Sequence, residues 1–126
     1  MATSPTQRTI RELKNQGRKC GIVERFLSRV GPHGIRKDLF GCIDIIALDP
    51  ERGVIGIQPC GQDFAGHVKK LTEERAEEMI DWLSTPGTRF ELWGWRKVKI
   101  KRGGKAMRWQ PRIKEFTLSD FLEETE

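Results

Sequence analysis

The residues best suited to chemistry lie in two apolar stretches, Gly41-Cys42-Ile43-Asp44-Ile45-Ile46-Ala47-Leu48 and Val54-Ile55-Gly56-Ile57-Gln58-Pro59-Cys60. An acid sits at the mouth of the first, and polar groups end the second. Asp49-Pro50-Glu51-Arg52-Gly53 between them has the composition of a turn. Setting Leu48 opposite Val54 across that turn puts Asp44 opposite Gln58 and Cys42 opposite Cys60. Opposed residues of an antiparallel pair share a face, with Cβ atoms about 4.5–5.5 Å apart. Asp44 and the amide oxygen of Gln58 then form a ligand pair for one hard divalent cation, Mg²⁺ or Mn²⁺. The Pro59 carbonyl extends the oxygen set, as does Glu24 if its strand neighbours Asp44. A cation so held stabilises the charge that develops when a phosphodiester is hydrolysed and helps form hydroxide. The inference depends on register, because a slip of one residue sends the two side chains to opposite faces. The plain alternative for Asp44 is a solvated residue at a strand end.

A cation to accompany such a centre is available in His67, Lys69 and Lys70 at the start of a long helical stretch, with His67 and Lys70 on one helix face. A solvated basic helix end explains the same three residues without chemistry. Cys42 facing Cys60 permits a cross-strand disulfide, and Cys42, Cys60 and His67 permit a zinc site. The three cysteines, Cys20, Cys42 and Cys60, are widely spaced and match no zinc pattern, so reduced thiols are the simpler reading.

The elements that must position these groups follow from pattern. Ser4-Pro5-Thr6-Gln7 has the form of a capping box with proline at the first helical position, and Ile10 and Leu13 share one face of the helix that Gly17 stops. Lys19 to Leu27 alternates as one strand, with Ile22, Glu24 and Phe26 on one side, and Gly31-Pro32-His33-Gly34 forces a loop. Cys42 to Leu48 is apolar almost throughout, as expected of a central strand covered on both faces. A helix is predicted from about Phe64 to Ser84, with Val68, Leu71, Ala76, Met79 and Leu83 forming an uneven stripe and Pro86-Gly87 ending it. Arg89 to Trp95 reads as a strand, and a hairpin with its tip at Arg102-Gly103-Gly104-Lys105 returns through Ala106 to Phe116. Ser119 to Glu124 has the pattern of a last helical turn. The order is α, β, β, β, α, β and a β-hairpin, an α/β fold with a mixed central sheet flanked by helices.

The chain has 126 residues and a formal charge of +5. That length suits a single domain with its own core. Arg96 to Lys114 carries no acid, whereas Glu115 to Glu126 is acidic. Lys97, Lys99 and Lys101 alternate on one strand, Arg102 and Lys105 flank the tip, Arg108 lies on the return strand, and Trp93, Trp95 and Trp109 are interleaved. A basic ribbon of this kind fits against phosphates, and an exposed indole stacks on an unpaired base. An ordinary solvated hairpin with its tryptophans in the core is the competing reading. Arg36 and Lys37 precede the Asp44 strand, where a loop can hold a phosphate. No stretch is long and apolar enough to span a membrane, and the N-terminus lacks a signal-peptide pattern, so a cytoplasmic protein is expected.

Gly-Cys-Ile-Asp44 with its hydrophobics, then Ile-Gln58-Pro-Cys60, resembles the PD-(D/E)XK nuclease superfamily, especially the small Holliday-junction-resolvase-like proteins of phages and bacteria. Gly34-Ile35-Arg36-Lys37-Asp38-Leu39-Phe40-Gly41 and Leu92-Trp93-Gly94-Trp95-Arg96-Lys97 add to the resemblance, which covers about residues 5–97. It implies a restriction-endonuclease-like α-β-β-β-α-β core, with a basic β-hairpin and acidic tail over about 97–126 as an extension. It matches Asp44 to the first acidic ligand, Gln58 to the second acidic position, Cys60 to the lysine and Glu24 to the upstream glutamate. It also implies a duplex or branched DNA substrate, and a homodimer, since a four-way junction presents two related scissile sites. The departures are chemical. Gln58 replaces an acid, and Cys60 replaces the lysine that orients the attacking water, leaving His67 or Lys70 as substitutes. Two functions follow: a Mg²⁺-dependent endodeoxyribonuclease, or a nuclease scaffold that has lost catalysis and serves as a DNA-binding or interaction module.

Overall fold

A computed structural model of the chain describes residues 3–29 and 31–122. Helix α1, Pro5–Asn15, starts at the capping box: the Gln7 N–H donates to Ser4 Oγ and the Ser4 N–H to Gln7 Oε1. Gly17 turns the chain away at a φ of 78°, in the left-handed region glycine favours. Five strands form one sheet in the order β1–β4–β5–β6–β7, where β1 is Cys20–Ile22, β4 Ile45–Asp49, β5 Gly53–Cys60, β6 Thr88–Lys99 and β7 Met107–Phe116. Only β5 and β6 pair in parallel, as the crossover through α2 (Phe64–Lys69), a π-helical turn (Lys70–Glu74) and α3 (Ala76–Ser84) requires. The fold is therefore α/β with a mixed sheet.

Each sheet face has its own core. On one, Leu13 of α1 packs with Ile45, Ala47, Ile55, Ile57, Trp93 and Trp95. On the other, Leu71 and Met79 pack with Cys42, Ile43, Cys60, Phe90, Leu92 and Phe116. Strands β4 and β5 are covered on both sides, which explains their unbroken apolar sequence. Among the described residues, no helix is long and apolar enough to cross a membrane.

Three expectations are corrected. The single strand from Lys19 to Leu27 is two: β1 pairs with β4 as far as Ile22↔Ile45, and β2 (Arg25–Leu27) leaves to pair with β3 (Ile35–Lys37) in a separate ribbon. Past the ladder one further bond, from the Val23 N–H to the Asp44 carbonyl at 2.8 Å, holds the chain before β2 turns away. Glu24 falls at the break. The long helix is also divided. Its apolar stripe slips between Leu71 and Ala76, and the π turn absorbs the extra residue there, with the Arg75 N–H donating to the Lys70 carbonyl at 2.9 Å. Strand β5 runs through Pro59 without ending. The Ile57 carbonyl points toward β4, where it accepts the Asp44 N–H, so by alternation Pro59 points its missing donor and its carbonyl to that side, past the end of β4. Finally, the C-terminal hairpin is no appendage: β7 pairs along β6 from Lys99↔Met107 to Phe90↔Phe116 and forms the sheet edge. The final turn is a 3₁₀ turn at Leu118–Asp120, and the rest of that expectation lies outside the described residues.

Candidate metal centre

The β4–β5 ladder has the register read from the sequence, Leu48↔Val54 through Ile45↔Ile57. Asp44 lies one residue before β4 and donates its N–H to the Ile57 carbonyl at 3.0 Å. The ladder does not continue through Asp44, whose N–H reaches the same Ile57 that Ile45 faces; Asp38, within reach of both the Gln58 amide and the Asp44 carboxylate, is what brings the two together. Gln58 is 2% exposed, and its Nε2 donates to the Cys42 carbonyl at 3.1 Å and reaches Asp38 Oδ2 at 3.5 Å. The other side of the amide has no such partner. Gln58 Oε1 and Asp44 Oδ1 are both buried and accept no hydrogen bond from the protein.

Asp38, which sequence reasoning passed over as a ligand, joins them. One carboxylate oxygen each from Glu24, Asp38 and Asp44 lies within 4.8 Å of the others. Local folding explains the meeting. Phe40 and Gly41 take φ values of 57° and 74°, the Cys42 N–H donates to the Leu39 carbonyl at 3.2 Å, and Leu39 bridges Ile43. This has the two left-handed central residues of a tight hairpin turn. Continuing its register by one residue sets Asp38 opposite Asp44. Phenylalanine rarely occupies such a position, so the turn gave no sequence signal.

Three carboxylates and an amide oxygen are a hard-cation donor set, and two buried oxygens without partners are what such an ion satisfies. The residues fit Mg²⁺ or Mn²⁺ on this ground. Electrostatics agree. Burial, then a hydrogen bond and charge repulsion from Asp38, then the charge of Glu24, push the Asp44 carboxyl up to about 8, against a smaller opposing pull from Lys70. The cluster thus retains a proton at neutral pH that a divalent ion would displace.

Lys70 Nζ is 3.9 Å from Asp38 Oδ2, and Arg36 Nη1 is 3.5 Å from Glu24 Oε1. His67 turns back on α2, its Nδ1 2.7 Å from the Asp63 carbonyl, so of the two substitutes Lys70 is the one beside the carboxylates. Cys60 is corrected as a site residue. It is 4% exposed within the core, and burial followed by the charge of Asp63 raises its thiol to about 11, so it is a neutral packing group. Cys20, Cys42 and Cys60 are free thiols. Among the described residues, no Cys/His cluster of metal-binding spacing accompanies the carboxylates.

The basic residues divide between faces. Alternation along β6 and β7 places Lys97, Lys99 and Trp109 on the α1 side, and Arg108 and Arg112 on the α2 side with the carboxylates. Lys101, Arg102 and Lys105 lie beyond β6 in the connection to β7. Lys97, Lys99 and Lys101 therefore do not form one continuous strand face. Trp93 and Trp95 are core residues, while Trp109 is 41% exposed with the Arg8 guanidinium 3.9 Å from its ring centre, so that cation already covers part of the indole. Arg36 and Lys37 lie on β3, directly before Asp38.

No protein-family model, curated protein or solved structure matches this chain.

Proposed function

We propose that this chain is a divalent-metal-dependent nuclease acting on DNA, with a restriction-endonuclease-like core and Holliday-junction-resolvase-like action as its finer form. The observation that carries the reading is the pair of unpartnered buried oxygens, Asp44 Oδ1 and Gln58 Oε1, beside the carboxylates of Glu24 and Asp38. Asp44, Asp38, Glu24 and the Gln58 amide would hold the ion, with the Pro59 carbonyl on the β4 side of β5 as a further oxygen. When bound, Mg²⁺ or Mn²⁺ supplies charge stabilisation at a phosphate oxygen and a more acidic water. Lys70, next to Asp38, places positive charge where a phosphate meets the cluster. Strand β6 outruns β5 by Trp95–Lys99, since the last pair is Cys60↔Gly94. At about 3.3 Å per residue, the basic ribbon stands roughly 16 Å above the sheet end that carries Asp44. It supports DNA binding through phosphates, without reading sequence. Action at a four-way junction requires two copies, one for each related scissile site.

A second reading has a specific observation behind it. Gln58 is neutral and Cys60 is sealed in the core, so neither supplies the charge that the resemblance assigns to its position. The scaffold would then bind DNA without cutting it. Nicking of plasmid and branched DNA with Mg²⁺ or Mn²⁺ separates the two. The nuclease reading expects cleavage that Asp44→Ala abolishes. Retained DNA affinity with no cleavage by either protein, across both substrates and both metals, leaves the binding module.

A further inference from the structure

Next to the carboxylates lies a cavity of about 430 Å³, lined by Arg36, Lys37, Asp38, Lys70, Arg75 and Glu78. Four cations face two acids. Asp38 belongs to both the cavity and the candidate metal centre. Lys70 and Arg75 are five positions apart, and on a regular helix side chains so spaced point about 140° away from one another. The π turn changes this. It closes a wider loop in which the Arg75 N–H bonds the Lys70 carbonyl, so the two residues begin and end one turn and line the same cavity. Arg75 Nη1 approaches Glu78 at 3.5 Å, while its Nε is sealed without a partner, so a ligand in the cavity meets the guanidinium through its terminal nitrogens. The tight turn before Asp44 presses on this guanidinium: a Cβ at Gly41 would sit 2.8 Å from Arg75 Nε.

We infer that the π turn builds a phosphate-binding subsite from Lys70 and Arg75, which holds a backbone phosphate beside the one at the metal centre. The terminal nitrogens of the Arg75 guanidinium match the oxygens of a phosphate, and Lys70 and Lys37 add point charges around it. This rests on the nuclease reading for the identity of the larger ligand, but the subsite itself does not require catalysis.

The test uses metal-free protein in chelator and two probes. Inorganic phosphate is titrated while the amide signals of Gly41 and Arg75 and the Arg75 Nε–H are followed by NMR. A single-stranded oligonucleotide is titrated across a salt series, with and without a 5′-phosphate. The expected results are saturable shifts at those three groups, and for Arg75→Gln about tenfold weaker oligonucleotide binding with a salt slope smaller by about 0.7. Lys97→Gln should lower the slope similarly and leave the phosphate titration unchanged. A stronger effect of Arg75→Gln on the 5′-phosphorylated strand identifies a terminal phosphate as the occupant, and an equal effect identifies an internal one. Should Arg75→Gln not fold, Arg75→Lys keeps the charge without the planar fork and is expected to bind at intermediate strength. The subsite is overturned if phosphate leaves the Gly41 and Arg75 signals unmoved. If phosphate binds but no oligonucleotide does, the subsite stands and the DNA reading fails.

Discussion

Replacing Asp44 by Asn should make the metal-free protein more stable at neutral pH while removing its response to metal. The folded-state value for Asp44 is about 8, against an ordinary 3.8. The folded form therefore holds a proton that the unfolded chain releases, and stability from this group is full below pH 4 and declines as pH rises toward 8. Three pH units at 1.36 kcal/mol each give about 4 kcal/mol at pH 7 as an upper bound. Water penetration and rearrangement of Asp38 and Glu24 reduce this, so a gain of about 1–3 kcal/mol is expected for Asn, with each kcal/mol raising Tm by roughly 4 °C. The assay is urea unfolding of both proteins in chelator at pH 4, 6 and 8, repeated with Mn²⁺. The advantage of Asn should be near zero at pH 4 and widen up to pH 8. With Mn²⁺ at a hundred times its Kd, wild type should regain about 2.7 kcal/mol, and the variant far less. A stability difference that is independent of pH, or an Asn variant less stable than wild type at pH 8 in chelator, refutes the account of a carboxylate held against its preference for a cation.

Lys70→Gln should lower cleavage by about 10²–10³ without weakening Mn²⁺ binding, because the lost charge serves the phosphate and otherwise offsets Asp38; single-turnover cleavage and calorimetry with Mn²⁺ check the two halves. Changing Lys97 and Lys99 together to Gln should reduce the slope of log affinity against log salt by about 2 on duplex DNA, measured by fluorescence anisotropy. At the far end of the sheet, Arg52 bonds Asp49 and the buried Glu91 at 2.9 Å each, and Glu91 also accepts the Trp93 indole N–H. Arg52→Met should cost about 3 kcal/mol in urea unfolding by leaving Glu91 unpaired, with metal affinity of the folded protein unchanged.

Local chemistry was legible wherever one residue type answered to one geometry. Ser4, Pro5 and Gln7 specified the start of α1, and the apolar patterns around Asp49–Gly53 specified the β4–β5 register, which ends at Ile45↔Ile57, one residue short of Asp44. Partner choice was not legible in the same way. The alternation through Lys19–Leu27 is genuine, yet whether Glu24 continues a ladder depends on where β4 begins. The turn that brings Asp38 to Asp44 uses Phe40 at positive φ, a choice no composition rule anticipates. The slipped stripe between Leu71 and Ala76 did carry the signal for the π turn, because five positions between apolar residues exceed what regular helical spacing allows. The hairpin charges were visible as composition, but their division between faces followed only once β6 proved continuous through Trp95.

Both margins of the sheet are guarded against self-association. Strand β1 offers only Cys20–Ile22 to a newcomer, and β7, though ten residues long, carries Pro111 without an amide hydrogen and presents Arg108, Arg112 and Lys114 along its length. A second molecule seeking to extend the ladder would meet a missing donor and a row of like charges. Edge-to-edge extension of this sheet by a second copy is therefore disfavoured, and the basic ribbon that overhangs it stays uncovered.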